Sequence, residues 1–311
     1  MANNSVTTPA ERPRAGAVRT LEPGVRVILA PNPSPMTFWG TNTYLVGQGR
    51  DVAVIDPGPL NEAHQQAILS ALAPDQRVSH ILVTHSHLDH SPLARPLAEH
   101  TRAPVLAFGR SDAGQSAVMR SLSAAGLAGG GEGVDAGFSC DRALAHRDTV
   151  SGDGWIMHCL HTPGHMGNHL CFAFGDAVFS GDHVMGWASS LVSPPDGDLT
   201  DFMESCRLLQ QDKWRVFYPG HGAPIESPME RLQWLVDHRL SREAEIAEAV
   251  GGGAASVQQI TEVVYQETPA ALFPAAERNV FAHLVDLAGK GRVQAMPRLE
   301  LTAKFTVKPS G

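Results

Sequence analysis

The segment Thr84-His85-Ser86-His87-Leu88-Asp89-His90 places three imidazoles and a carboxylate within one short stretch. Imidazole is the commonest transition-metal ligand and the usual proton carrier near neutral pH. The preceding Ile81–Val83 reads as a buried strand, so the cluster falls on the loop between that strand and the next helix. On extended backbone, side chains alternate; His85 and His87 therefore share one side, while Asp89 and His90, at the turn into the helix, face a second position beside them. This spacing feeds two adjacent metal sites. Further polar residues end later strands beside glycines: His165 in Thr162-Pro163-Gly164-His165, Asp182 in Ser180-Gly181-Asp182-His183, and His221 in Tyr218-Pro219-Gly220-His221-Gly222. Asp56, in Val54-Ile55-Asp56-Pro57-Gly58, closes an early strand.

The elements that must position these residues are legible from hydrophobic period and turn chemistry. Val25–Ala30, Thr43–Val46 and Val52–Ile55 read as a β-meander, Asn61–Leu72 as a helix, and Ser79–Val83 as a strand. Pro92–His100 suits a helix, Val105–Ala107 a strand and Gln115–Leu127 a helix. A second set follows: strands at Trp155–Leu160, Leu170–Phe174 and Ala177–Ser180, a helix at Thr200–Gln211, and a strand at Val216–Tyr218. The repeated order implies a layered α/β sandwich. Helical periods at Met229–Val250, Ser256–Tyr265 and Pro274–Gly289, then strands at Arg292–Ala295 and Leu301–Val307, suggest a winged-helix-like α+β module over 240–311. Residues 1–17 read as a mobile tail, leaving 18–239 as the metal-binding unit.

Composition narrows the classes. The chain has 311 residues, 43% hydrophobic and 18% charged, which fits a globular fold with a substantial core and excludes a disulfide-stapled miniature. Cys140, Cys159, Cys171 and Cys206 form no C-x-x-C pair, so reduced core thiols in a cytosol are expected. No stretch approaches the roughly 18 apolar residues of a membrane span, and Met1–Ala17 lacks a signal-type apolar region. A cytoplasmic protein without membrane contact is the expectation, with a homo-oligomer left open.

The histidine cluster, followed in order by His165, Asp182 and His221 and preceded by Asp56, resembles the metallo-β-lactamase superfamily from about residue 25 to 225. That resemblance implies an α+β, four-layer αββα sandwich. It implies one metal on His85, His87 and His165, a second on Asp89, His90 and His221, and Asp182 bridging both. Nitrogen and oxygen donors without thiolate make two Zn2+ ions the first choice, with iron or manganese compatible with the same donors. A metal-activated hydroxide then serves as nucleophile, and Asp89 both ligates and orients it. Asp56 is expected to hydrogen-bond a ligand histidine, against the plainer reading of a turn-forming Asp-Pro-Gly. His169 and His183 are candidates for substrate contact or ligand support. Ser91-Pro92 and the run Ser193–Asp198 look like the β-lactamase-like protein 2 branch, in which Gly186–Asp198, with Trp187, would wall the cleft; an ordinary connecting loop is the alternative. The remaining histidines, among them His64, His80, His161, His238 and His283, read as structural.

Such a site fits a metal-dependent hydrolase of a small acyl substrate, a thioester or lactone. Phosphodiester cleavage, as in a single-strand endoribonuclease, is the alternative that the same metals would serve. Charge weighs against it: the net charge is -8, with 17 Lys+Arg and 24 Asp+Glu in residues 1–240. Only the tail offers a basic wing, with Lys290, Arg292, Arg298, Lys304 and Lys308 against Glu300. A mononuclear iron sulfur dioxygenase and a non-catalytic, metal-sensing regulatory binding protein rank lower. A small-molecule partner is expected, and nucleic acid is not favoured.

Overall fold

The computed structural model describes residues 12–253, 255–269 and 272–308. Residues 1–11 of the expected tail lie outside the described residues. Gly16, at the end of that tail, donates its N–H to the Leu29 carbonyl at 2.9 Å.

Seven strands form the first sheet in chain order: β1 (Val18–Glu22), β2 (Val25–Leu29), β3 (Asn42–Val46), β4 (Asp51–Ile55), β5 (Arg77–Leu82), β6 (Val105–Ala107) and β7 (Arg142–Ala143). β1 to β4 pair antiparallel, β1–β2 and β3–β4 through short turns and β2–β3 through the longer loop that carries Phe38 and Thr41. From β4 onward the pairing is parallel, because α1 (Glu62–Ser70) and α2 (Ala94–Thr101) return the chain to the same end. The second sheet has the order β12-β11-β10-β9-β8, from β8 (Thr149–Gly152), β9 (Trp155–His161), β10 (Leu170–Phe174), β11 (Ala177–Gly181) and β12 (Val216–Pro219). β11 and β12 are parallel, joined through α4 (Leu199–Leu209); α3 (Ala117–Ala124) lies on the connection between β6 and β7 of the first sheet.

Alternation along the strands stacks these layers. On β4, Ala53 and Ile55 join a core between the sheets with Tyr44, Phe172 and Phe179, while Val52 and Val54 face α1 and α2 through Ile68 and Leu97. On β10, Phe172 points to that inter-sheet core, and Cys171 and Ala173 point outward to Phe202 and Leu209 of α4. The result is the four-layer αββα sandwich, with three of the four cysteines buried as small apolar groups.

The chain then enters α5 (Pro228–Gly251), which runs unbroken across the expected boundary at 239/240 and ends at the Gly251–Gly253 run. Its first half packs on α4 through Leu232 and Leu235; its second half carries Ile246 and Val250 into a separate core with α6 (Val257–Val264) and α7 (Phe273–Gly289). The module's ribbon has three strands, ordered β13-β15-β14, rather than two: β13 (Ala255–Ser256) is too short to carry a sequence period, and β14 (Val293–Met296) and β15 (Lys304–Val307) complete it. Ser256 also opens α6 as a capping box with Gln259.

Candidate metal centre

The parallel connections bring the C-terminal ends of β4, β5, β9, β11 and β12 to one edge of the sandwich. The loops that leave those ends carry Asp56, the His85–His90 cluster, His165, Asp182 and His221. Glycine is required where these loops crowd: a Cβ on Gly220 would lie 2.3 Å from Asp182 Oδ1, and one on Gly164, at φ 142°, would strike the backbone of Phe202 at 2.3 Å.

Two donor groups result, one of His85, His87 and His165, the other of Asp89, His90, Asp182 and His221, all buried. In the first, His87 Nδ1 lies 3.0 Å from both His85 Nε2 and His165 Nε2. Proton accounting shows what this triangle requires. His165 Nδ1–H donates to the Leu191 carbonyl at 2.7 Å, so its Nε2 presents a lone pair. Thr84 Oγ1 spends its proton on Asp56 Oδ2 at 2.7 Å and must accept from His85 Nδ1 at 2.9 Å, so His85 Nε2 is also a lone pair. Two acceptors and one imidazole converge with too few protons between them. Burial, then the neighbouring imidazoles, holds His85 well below the usual histidine range, and burial first, with His165 second, pushes His87 down to about 3. Protonation is therefore a poor remedy, and a cation is a good one.

The second group has the complementary imbalance. His90 Nδ1 donates to Asp56 Oδ2 at 2.9 Å and His221 Nδ1 to the Gly40 carbonyl at 3.1 Å, which turns both Nε2 atoms toward carboxylates. His90 Nε2 lies 3.2 Å from Asp89 Oδ2 and 3.5 Å from Asp182 Oδ1, and neither His90 Nε2 nor Asp182 Oδ1 has a hydrogen-bond partner among the described residues. Asp182 Oδ2 lies 3.2 Å from His221 Nε2 and 3.7 Å from His165 Nε2, between the two groups. Burial alone would lower His221, but Asp182 and Asp89 raise it to about 10. The pocket thus demands positive charge. A tetrahedral zinc with bonds of roughly 2.0–2.1 Å sets neighbouring donors about 3.3 Å apart, close to the separations present, and each ligand imidazole other than His87 already has its far nitrogen engaged. The donor set fits two divalent cations.

The other sequence candidates take different places. Asp56, 2% exposed, accepts from Thr84 N–H, Thr84 Oγ1 and His90 Nδ1, so it supports the histidine loop from behind and also sits at a turn, at φ 49°. His169 and His183 are not on the cleft. Both are fully buried; His169 hydrogen-bonds Thr162 and packs with its centroid 5.1 Å from that of His85, and His183 lies against Phe202 and Cys206. Neither lines the cavity, so substrate contact by either is corrected: His169 packs behind His85, and His183 is enclosed by Phe202 and Cys206 of α4. Trp187 does line the cleft, stacked on Phe38 at 4.8 Å. The Gly186–Asp198 segment is a fixed wall: Arg231 donates to the Met185 and Ala188 carbonyls at 2.7 Å each, and Leu191 holds His165.

Above the donors lies a cavity of about 240 Å³. Its walls include Met36, Met185 and Leu191 and, from the C-terminal module, Tyr265, Leu272 and Asn279. No motif marks the module's residues, and only their helical period showed in the sequence. Thr41, which donates to Asp89 Oδ2 at 3.2 Å, was equally silent.

A four-layer sandwich with paired His/Asp donor groups at the strand ends defines a metal-dependent hydrolase. The profile of the Metallo-beta-lactamase superfamily matches residues 36–221, and that of the Beta-lactamase associated winged helix domain matches residues 256–298. The chain belongs to the metallo-beta-lactamase superfamily. It is similar to a Beta-lactamase-like protein 2 homolog of Drosophila melanogaster, 32% identical over 89% of this chain and 92% of that protein. It is also similar to an Atrochrysone carboxyl ACP thioesterase of Aspergillus fumigatus, 30% identical over 81% of this chain and 77% of the relative. A Beta-lactamase domain protein from Burkholderia ambifaria shares the fold, with a TM-score of 0.77 at 22% identity over 97% of this chain and 96% of the neighbour. Among the described residues no helix is long and apolar enough to cross a membrane.

Proposed function

We propose that this enzyme hydrolyses the thioester of an apolar acyl chain, using two zinc ions held by His85, His87 and His165 and by Asp89, His90 and His221, with Asp182 shared. The observation that carries the reading is the cavity, which opens onto His87, Asp89, His165, Asp182 and His221 and is otherwise walled mainly by apolar side chains. The thioesterase relative supports the same ester class. When bound, the two cations supply the acidity that makes water a nucleophile at neutral pH and polarise the ester carbonyl.

The chain's own residues do the rest. Asp89, pinned by Thr41, accepts a hydrogen bond from the attacking water and aims its oxygen at the carbonyl carbon. The C–O bond forms, the C–S bond breaks, and a carboxylic acid and a thiol leave. Asp56 and the Leu191 carbonyl keep His90 and His165 in the ligating orientation. Met36, Met185 and Leu272 exclude water from the acyl chain. Residues 18–239 form the catalytic unit, and residues 240–311 complete its substrate wall.

Phosphodiester cleavage gains nothing from the tail. Lys290 pairs with Glu243 at 2.6 Å, Arg292 with Glu243 at 2.7 Å and Arg298 with Glu300 at 2.6 Å, so much of the basic wing is neutralised. The test incubates zinc-loaded protein with acyl thioesters and, separately, with unstructured single-stranded RNA. Thioester turnover that His87→Ala abolishes is expected; RNA cleavage without thioester turnover would overturn the proposal.

A further inference from the structure

Arg239 of α5 is 2% exposed, and no carboxylate pairs with it among the described residues. Its guanidinium carbon lies 5.3 Å from the Phe202 ring centroid, and its Nε has no hydrogen-bond partner. Burying a guanidinium without a counter-charge is unfavourable, so a chain that keeps one there gains something from it. The two bonds it does make join separate parts of the cleft wall. Nη2 donates to the Ser190 carbonyl in the Gly186–Asp198 segment, and Nη1 donates to Asn279 Oδ1 of α7 at 3.1 Å.

Asn279 is the informative partner. Its Oδ1 also faces the Val192 N–H at 3.5 Å. Neither a guanidinium nor a backbone N–H can accept, so the amide has one orientation: oxygen toward Arg239, NH2 away from it. Asn279 lines the cavity that holds the metal donors, and its Nδ2 makes no hydrogen bond among the described residues. The neighbouring wall from the same module sets the apolar Leu272, Ala275 and Ala276 beside the hydroxyl-bearing Tyr265 and Thr268. Of the polar groups on this wall, Asn279 is the one whose donor is turned by bonds to its own oxygen, and a donor held in one orientation recognises an oxygen at a set place along a chain.

We infer that the Asn279 side-chain amide donates a hydrogen bond to an oxygen carried by the acyl chain of the substrate, a ketone carbonyl beyond the scissile ester, and that Arg239 is the positioning residue that fixes and polarises this amide. The inference rests on the thioesterase reading and narrows it to oxygenated acyl chains. A positive group behind the amide oxygen strengthens the NH2 as a donor, because bonds in a chain polarise one another.

The test compares 3-oxoacyl and saturated acyl thioesters of equal length on the full-length zinc-loaded enzyme. Wild type should favour the oxo ester by about tenfold in kcat/KM, the scale of one hydrogen bond. Asn279→Asp keeps the shape and both accepted bonds, gives Arg239 a counter-charge and removes the donor. It should bring the ratio near one because the oxo ester loses more turnover than the saturated ester, and Asn279→Ala should do the same. Arg239→Met should lower the ratio and Arg239→Lys restore part of it. An unchanged ratio in Asn279→Asp, or an equal loss on both esters, overturns the inference and leaves the thioesterase reading standing. Turnover of neither ester by wild type removes both.

Discussion

At the scale of single residues, the centre is a problem in proton accounting that cations solve. Asp56 is the best probe because it touches His90 from outside the donor group and does not face the cleft. Asp56→Ala should keep the fold but lower metal affinity or activity by about 10–100-fold, the usual effect of losing a carboxylate behind a ligand histidine; titration with a zinc chelator reads it. Removing a donor is more severe. Asp182→Ala should lower bound zinc below two equivalents, measured by elemental analysis, and reduce kcat/KM by more than Asp56→Ala does. Full metal content and full activity in Asp182→Ala would contradict the ligand assignment.

At the scale of elements, the loops depend on supports that are themselves titratable. His64, at the start of α1, is buried and hydrogen-bonded to Thr43 Oγ1, which in turn donates to the Asp56 carbonyl. Burial pushes His64 down to about 4, so the unfolded chain binds the extra proton between that value and the ordinary 6.5. The stability His64 contributes is therefore complete above pH 6.5 and is lost as pH falls toward 4, by about 3 kcal/mol for this group. Urea unfolding of wild type and His64→Gln across that window should converge by that amount as pH falls; parallel curves would refute it. Asp198 is a second support: its Oδ1 caps α4 at Thr200 N–H, 2.9 Å away, and its Oδ2 accepts from Ser116 at 2.6 Å. Asp198→Ala should cost about 1–2 kcal/mol, seen as a lower Tm.

At the scale of the molecule, the metals and the fold are one system. Two buried carboxylates and five imidazoles converge on the donor groups, so stripping the cations leaves buried polar atoms without partners inside the sandwich. Chelation should lower Tm, and zinc at a hundredfold over its Kd should restore about 2.7 kcal/mol for one site. The continuous α5 ties the module to the catalytic layers, and α7 brings Asn279 to the cavity. Removing the module would open one wall of the substrate site.

The sequence by itself determined the histidine cluster at a strand end, most of the elements and the existence of the tail module, because these depend on local spacing. The full set of seven metal-donor candidates followed from the resemblance to the metallo-β-lactamase superfamily. Histidines two residues apart on a strand end, a glycine before each later donor and a 3.6-residue period all act over a few residues. Only the tertiary structure decided which imidazole nitrogen faces inward, that His169 and His183 lie behind the ligands, and that Thr41, Leu272, Arg239 and Asn279 belong to the site. Those outcomes rest on contacts between residues far apart in the chain, such as the Leu191 carbonyl on His165 or Arg239 on Asn279, and no local pattern encodes the packing of layers that makes them.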